Sequence, residues 1–174
     1  MSVATIGPQL SFRIGAVALS LPMGVVREVL ALPDVVPVPG SRSQITGVAL
    51  HRGLAVPVYD LRRFDPLWPE PPGPGCDAGP GEHLIVCVWG EAVIGVLGED
   101  PNLLENARMR VGSGGGPAPV NQEYLAWVVE SGAEGTTESI ACLDPSRLFA
   151  SLGVPLVEAA SAQEVTGEDD PAGR

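Results

Sequence analysis

The chain contains no lysine; all ten of its basic residues are arginine, against 21 Asp and Glu, for a net charge of −11. Without lysine there is no phosphate-loop motif, and the glycine-rich run Gly112–Gly116 reads as a flexible loop. An acidic surface repels nucleic-acid backbones and anionic lipid, which excludes general nucleic-acid binding and direct membrane insertion. Histidine is scarce too. His51 and His83 are the only two imidazoles, too few for general acid–base chemistry, and no serine stands in a Ser-His-Asp pattern. Three cysteines, Cys76, Cys87 and Cys142, lack Cys-x-x-Cys spacing, so neither a zinc site nor a disulfide framework is expected. Cys87 and Cys142 lie in apolar runs and read as buried hydrophobes, whereas Cys76 falls in a Pro/Gly stretch and should be exposed. No apolar run reaches the roughly 20 residues that span a bilayer, and the first residues lack the pattern of a secretory signal. No cofactor or metal is implied, and a cytoplasmic location is the expectation.

What is present is strand-like. Leu10, Phe12 and Ile14 alternate with Ser11 and Arg13, Gly15 turns the chain, and Val17 to Met23 returns. Val25 to Leu30 is β-branched and predicts a strand over a helical turn. Pro33, Pro37 and Pro39 then interrupt regular structure. Ile45 to Phe64, ITGVALHRGLAVPVYDLRRF, predicts a hairpin around His51-Arg52-Gly53, because Gly53 adopts a positive φ at little cost. Pro57 in its second strand predicts an edge position or a bulge. A short helix or turn is expected over Leu61 to Leu67, with Asp60 capping it.

Pro66 to Gly81 is a Pro/Gly-rich loop between two halves. The second half predicts strands over His83–Trp89, Ala92–Leu97, Tyr124–Glu130 and Ser139–Leu143. Asn102–Arg110 is a strand or a short helix, and Val111–Pro119 and Ser131–Thr137 are loops. Asp144 and Pro145 start a C-terminal helix through Leu152. The boundaries follow: 1–9 a tail, 10–65 a first half, 66–81 the loop, 82–152 a second half, and 153–174 an acidic disordered tail. The halves echo each other weakly, YDLRRF against LDPSRLF.

The hairpin resembles the signature of the CheW-like domain family. Gly47, Val48, Arg52, Gly53, Val56, Pro57, Asp60, Leu61 and Arg62 match its Gly-hydrophobic, Arg-Gly, Val-Pro and Asp-Leu-Arg positions. Val26 to Val29, Pro37 to Pro39, Val93 to Leu97, Tyr124-Leu125 and Leu143-Asp144 match further pieces in order. Three second-half positions depart from the pattern: Gly98-Glu99, Trp127, and the less aliphatic Glu138–Cys142.

The resemblance implies a mainly β fold: two small SH3-like five-stranded β-barrel subdomains packed together, with short helices including one near the C-terminus. It also implies a non-catalytic adaptor in bacterial chemosensory arrays. The partners would be the cytoplasmic tip of a chemoreceptor (a methyl-accepting chemotaxis protein) and the regulatory domain of a CheA-type histidine kinase. Receptor binding would fall to Val26, Glu28, Ile45, Val48, Arg52 and Gly53. The kinase would meet the second-half surface, with Trp127 as a candidate anchor. For the residues alone, Glu28 also fits a solvent-facing strand position and Arg52 a solvated turn. Two other readings stand beside this one: a divergent adaptor that binds receptors but has lost the kinase, and a small-molecule-binding β-barrel.

Overall fold

The computed structural model describes residues 2–68, 81–105, 108–111, 120–131 and 138–154. Its strands are β1 (Ser2–Thr5), β2 (Gln9–Ile14), β3 (Val17–Pro22), β4 (Val26–Ala31), β5 (Val35–Val36), β6 (Ile45–His51) and β7 (Leu54–Tyr59). They continue as β8 (Glu82–Trp89), β9 (Ala92–Leu104), β10 (Arg108–Val111), β11 (Leu125–Ser131) and β12 (Glu138–Leu143), and one helix, α1 (Pro145–Ser151), follows. Short 3-10 turns lie at Met23–Val25, Leu61–Arg63, Asp65–Leu67 and Gln122–Tyr124. The fold is mainly β with a short C-terminal helix, as expected. The two β subdomains expected to pack together are joined through shared strands. All twelve strands form one hydrogen-bonded network in the order β1-β10-β11-β12-β3-β2-β9-β7-β6-β5, with β8 pairing β9 and β4, and this sheet does not close.

Two lobes are nevertheless visible in the pairing. One holds β4, β8, the start of β9, β7, β6 and β5. The other holds β1, β10, β11, β12, β3, β2 and the end of β9. Strands from the two sequence halves interleave in both. β2 and β3, early in the chain, join β12 and the end of β9, while β4 joins β8. The stretch Ser2–Thr5, read from sequence as part of a tail, pairs antiparallel with β10; its partner lies about a hundred residues away and leaves no local trace.

Strand alternation explains how one run of residues serves two cores. Successive side chains on a strand face opposite sides. On β8, Leu84 and Val86 pack with Ala49, Val58 and Leu97 inside the first lobe. Ile85 and Cys87 face the larger cluster, which also holds Leu10, Phe12, Leu19 and Leu21 of the second lobe and Leu148 and Phe149 of α1. That is why β8 reads as an uninterrupted apolar run: both of its faces are buried. Cys87 is fully buried, and burial pushes its thiol up to about 12.

Several local expectations are met for their stated reasons. Asp144 accepts a hydrogen bond from the Arg147 N–H at 3.1 Å, capping α1 with Pro145 in its first turn. Asp60 accepts from the Arg62 N–H at 3.0 Å. Pro57 is instead on an interior strand, since β7 lies between β6 and β9; the ladder to β9 begins only at Val58, so the missing N–H falls where no second strand is paired. β9 runs past Pro101 to Leu104 because Asp100, at φ 47°, absorbs one extra residue: Arg13 pairs with Glu99 but Ser11 with Asn102. Gly98, one of the departures from the family pattern, has a structural cause. A Cβ there would lie 2.6 Å from the Phe12 ring. The loop residues 69–80, Cys76 among them, most of 111–119 and of 131–137, and the acidic tail from 155 lie outside the described residues.

Candidate functional site

The β6–β7 hairpin turns in two residues, Arg52 at φ 48° and Gly53 at φ 79°. Two consecutive positive φ angles give the turn whose twist matches that of the flanking strands. Glycine adopts this conformation readily; arginine does so at a cost. The strain presents Arg52 outward, with 72% of its side chain exposed.

Arg52 is not alone. Its Nη2 donates to Glu28 Oε2 at 2.9 Å, an ion pair between the hairpin tip and β4. His51 Nε2 lies 3.2 Å from the same carboxylate oxygen. That nitrogen is buried and off the line of a hydrogen bond, so it has no hydrogen-bond partner. Glu28 therefore faces two potential cations, one exposed and one buried. Glu28 sits on β4 just after a bulge, opposite Val86 of β8. No ladder joins β4 to β5, β6 or β7 among the described residues. Side chains, not backbone, bridge this open seam of the first lobe.

The structure brings Glu28, Arg52 and Gly53 together and distributes the other candidates. Val26, on the same strand as Glu28, is half-buried against the large shared cluster, and so is Ile45. Ile45 stands at the far end of β6 opposite Tyr59, roughly 20 Å from the turn at strand spacing. Val48 lies between, half-buried, paired with Val36 and Pro57. Gly47 beside it is needed for β5 to approach, since a Cβ there would collide with the Val36 carbonyl and sit 2.8 Å from Val35 Cγ1. Trp127 lies on β11 opposite Cys142, after a bulge at Leu125; its side chain lies outside the described residues.

Arg62, from the same motif, has a different role. Its Nε bonds Asp60 Oδ1 at 2.7 Å and its Nη1 bonds Glu82 Oε1 at 2.7 Å, in a site where all three side chains are nearly inaccessible. Two carboxylates share one buried guanidinium, with Arg63 3.4 Å from Asp60 at the surface. Burial opposes the charge on Arg62, but Asp60 and Glu82 outweigh it and raise its pKa. Burial also raises Glu82, opposed by Arg62 and reinforced by Asp60 and Glu99. This triad braces the end of β7 against the start of β8, across the loop. Sequence reasoning found Asp60 and missed Glu82, which stands beyond the Pro/Gly run. It also gave His51 no role, although its place next to Arg52 was the available signal.

The matches to known proteins agree with this architecture. The model of the CheW-like domain matches residues 9–152. The chain belongs to the CheW-like family. Proteins of this family are scaffolds and adaptors of bacterial chemotaxis. Protein FrzA of Myxococcus xanthus is 35% identical over 144 residues, covering 79% of this chain and 82% of FrzA. The scaffolding protein TtCheW of Thermoanaerobacter tengcongensis has a similar fold, at a TM-score of 0.59 and 14% identity, over 82% of this chain and 87% of TtCheW. The match of the CheW-like model runs through β12, where the less aliphatic sequence still buries Ile140, Ala141, Cys142 and Leu143 in succession.

Proposed function

We propose that this chain is a non-catalytic adaptor that couples chemoreceptors to a CheA-type histidine kinase in a bacterial chemosensory array. Family membership supports the adaptor role. The observation that carries the receptor half is the Glu28–Arg52 pair at the hairpin tip, where a strained turn presents an exposed, always-charged fork. Val26, Ile45 and Val48 would supply apolar wall for a receptor helix, the usual complement to a few polar fixing groups. Gly53 holds the turn. The receptor partner is the cytoplasmic tip of a methyl-accepting chemotaxis protein, which places the adaptor in the cytoplasm at receptor arrays. Among the described residues no helix is long and apolar enough to cross a membrane. Contact with the kinase regulatory domain is assigned to the second-half surface, with Trp127 as its candidate anchor.

The test is capture of the protein by a purified chemoreceptor cytoplasmic fragment. Arg52→Glu should be captured much less than the native protein; equal capture would refute the receptor role. Calorimetric titration with the kinase regulatory domain reads the second half of the proposal. Micromolar binding supports coupling, and its absence reduces the protein to a receptor-only adaptor.

A further inference from the structure

The Glu28 carboxylate is the shared anchor of two groups that differ in one respect. Arg52 is permanently charged and exposed, whereas His51 is 11% exposed and carries a charge only when protonated. Arg52 reaches Glu28 through a single nitrogen to a single oxygen. Such an exposed, one-point pair is weak, and a guanidinium binds a carboxylate best through two parallel N–H bonds. A partner offering a carboxylate can therefore draw Arg52 off Glu28. Glu28, only 28% exposed, then loses its permanent cation while His51 still stands 3.2 Å away.

We propose that His51 is a proton-linked determinant of partner binding: an acidic group on the partner takes Arg52, and His51 takes up a proton to replace it beside Glu28. This rests on the receptor-binding reading of Arg52 and deepens it by naming the partner's chemistry as a carboxylate. Among the described residues Glu28 is the one carboxylate within ion-pair range of His51; Asp34, just before β5, stands level with Leu50 by the register of β5 on β6. β4 brings Glu28 to His51 and also carries Arg27, which is exposed. From the turn comes Arg52. β8 offers Val86 opposite Glu28 and Cys87, a thiol held neutral by burial. β5 and the start of β7 offer Val35, Val36, Leu54 and Ala55.

The experiment is calorimetric titration of the full chain with a purified chemoreceptor cytoplasmic fragment at pH 6, 7 and 8, in buffers of differing ionisation enthalpy. The native protein should show proton uptake, and its Kd should weaken severalfold, at most about tenfold, per pH unit of increase. His51→Gln and His51→Leu should bind with buffer-independent heats and a flat Kd. Native binding that Arg52→Glu abolishes but that releases the same heat in every buffer would overturn the proton linkage and leave the receptor reading standing. Uptake that persists in both His51 variants would overturn the assignment to His51. No binding by the native protein would overturn the receptor reading and this inference with it.

Discussion

Replacing Arg52 by asparagine should stabilise the protein while weakening its grip on a receptor. Arg52 occupies the first central position of the two-residue turn at φ 48°. A side chain other than glycine pays on the order of 1–2 kcal/mol there, and asparagine, at home in this region, pays much less. What the substitution removes is the contact with Glu28. With 72% of the Arg52 side chain in solvent, that pair contributes about 0–1 kcal/mol, and salt screens it further. The balance favours asparagine by about 0.5–1 kcal/mol, a rise in Tm of about 1–4 °C for a chain of this length. Paired thermal melts at low and moderate salt read the effect, and capture by the receptor fragment reads the cost. A fall in Tm of 3 °C or more would refute the reasoning. It would mean that the Glu28–Arg52 contact holds the first lobe together and that Arg52 is kept for architecture.

Two further outcomes concern the buried triad. Arg62→Ala leaves Asp60 and Glu82 buried without their shared cation and should cost about 3–5 kcal/mol in urea unfolding; a loss under about 1 kcal/mol would show that water enters the site. Glu82 carries a pH signature. Its folded pKa is raised by burial, against the opposing pull of Arg62 and with the help of Asp60 and Glu99. The folded state thus holds this proton at higher pH than the unfolded chain. Its contribution is complete below the ordinary glutamate value of about 4.3 and is lost as pH rises through the raised folded value. Native protein should therefore lose Tm relative to Glu82→Gln between pH 4 and 7, and a difference that is flat or runs the other way would contradict the assignment.

The legible parts of the fold were those encoded over a few residues. The β2–β3 hairpin follows from alternation ending at Gly15, the β6–β7 hairpin from Gly53, and α1 from Asp144 and Pro145. Contacts between distant segments were not legible. β1 is a strand only because β10 lies beside it, and β9 crosses Pro101 only because Asp100 takes a left-handed conformation that its identity permits but does not announce. The candidate site divides the same way. Glu28 and Arg52 came from the pattern of a family, and the structure sets them 2.9 Å apart. Ile45 came from the same pattern and lies at the other end of its strand. His51 carried no motif, and only the meeting of β4 with the hairpin tip gives it a neighbour.

That meeting has a mechanical consequence. Among the described residues the first lobe begins at β4, which pairs only with β8, and ends at β5, and only Leu32, Pro33 and Asp34 connect the two in the chain. A backbone ladder across this gap would have to be broken bond by bond, and a partner's side chain could do little to it. A gap bridged by one exposed guanidinium, with a buried imidazole beside the same carboxylate, responds to a single competing carboxylate. Val26, on β4 two residues from Glu28, packs against the cluster that the two lobes share. Whatever occupies the hairpin tip therefore acts two residues from the core that joins the lobes. Coupling between two partners needs such a route if occupancy at one surface is to be felt at another.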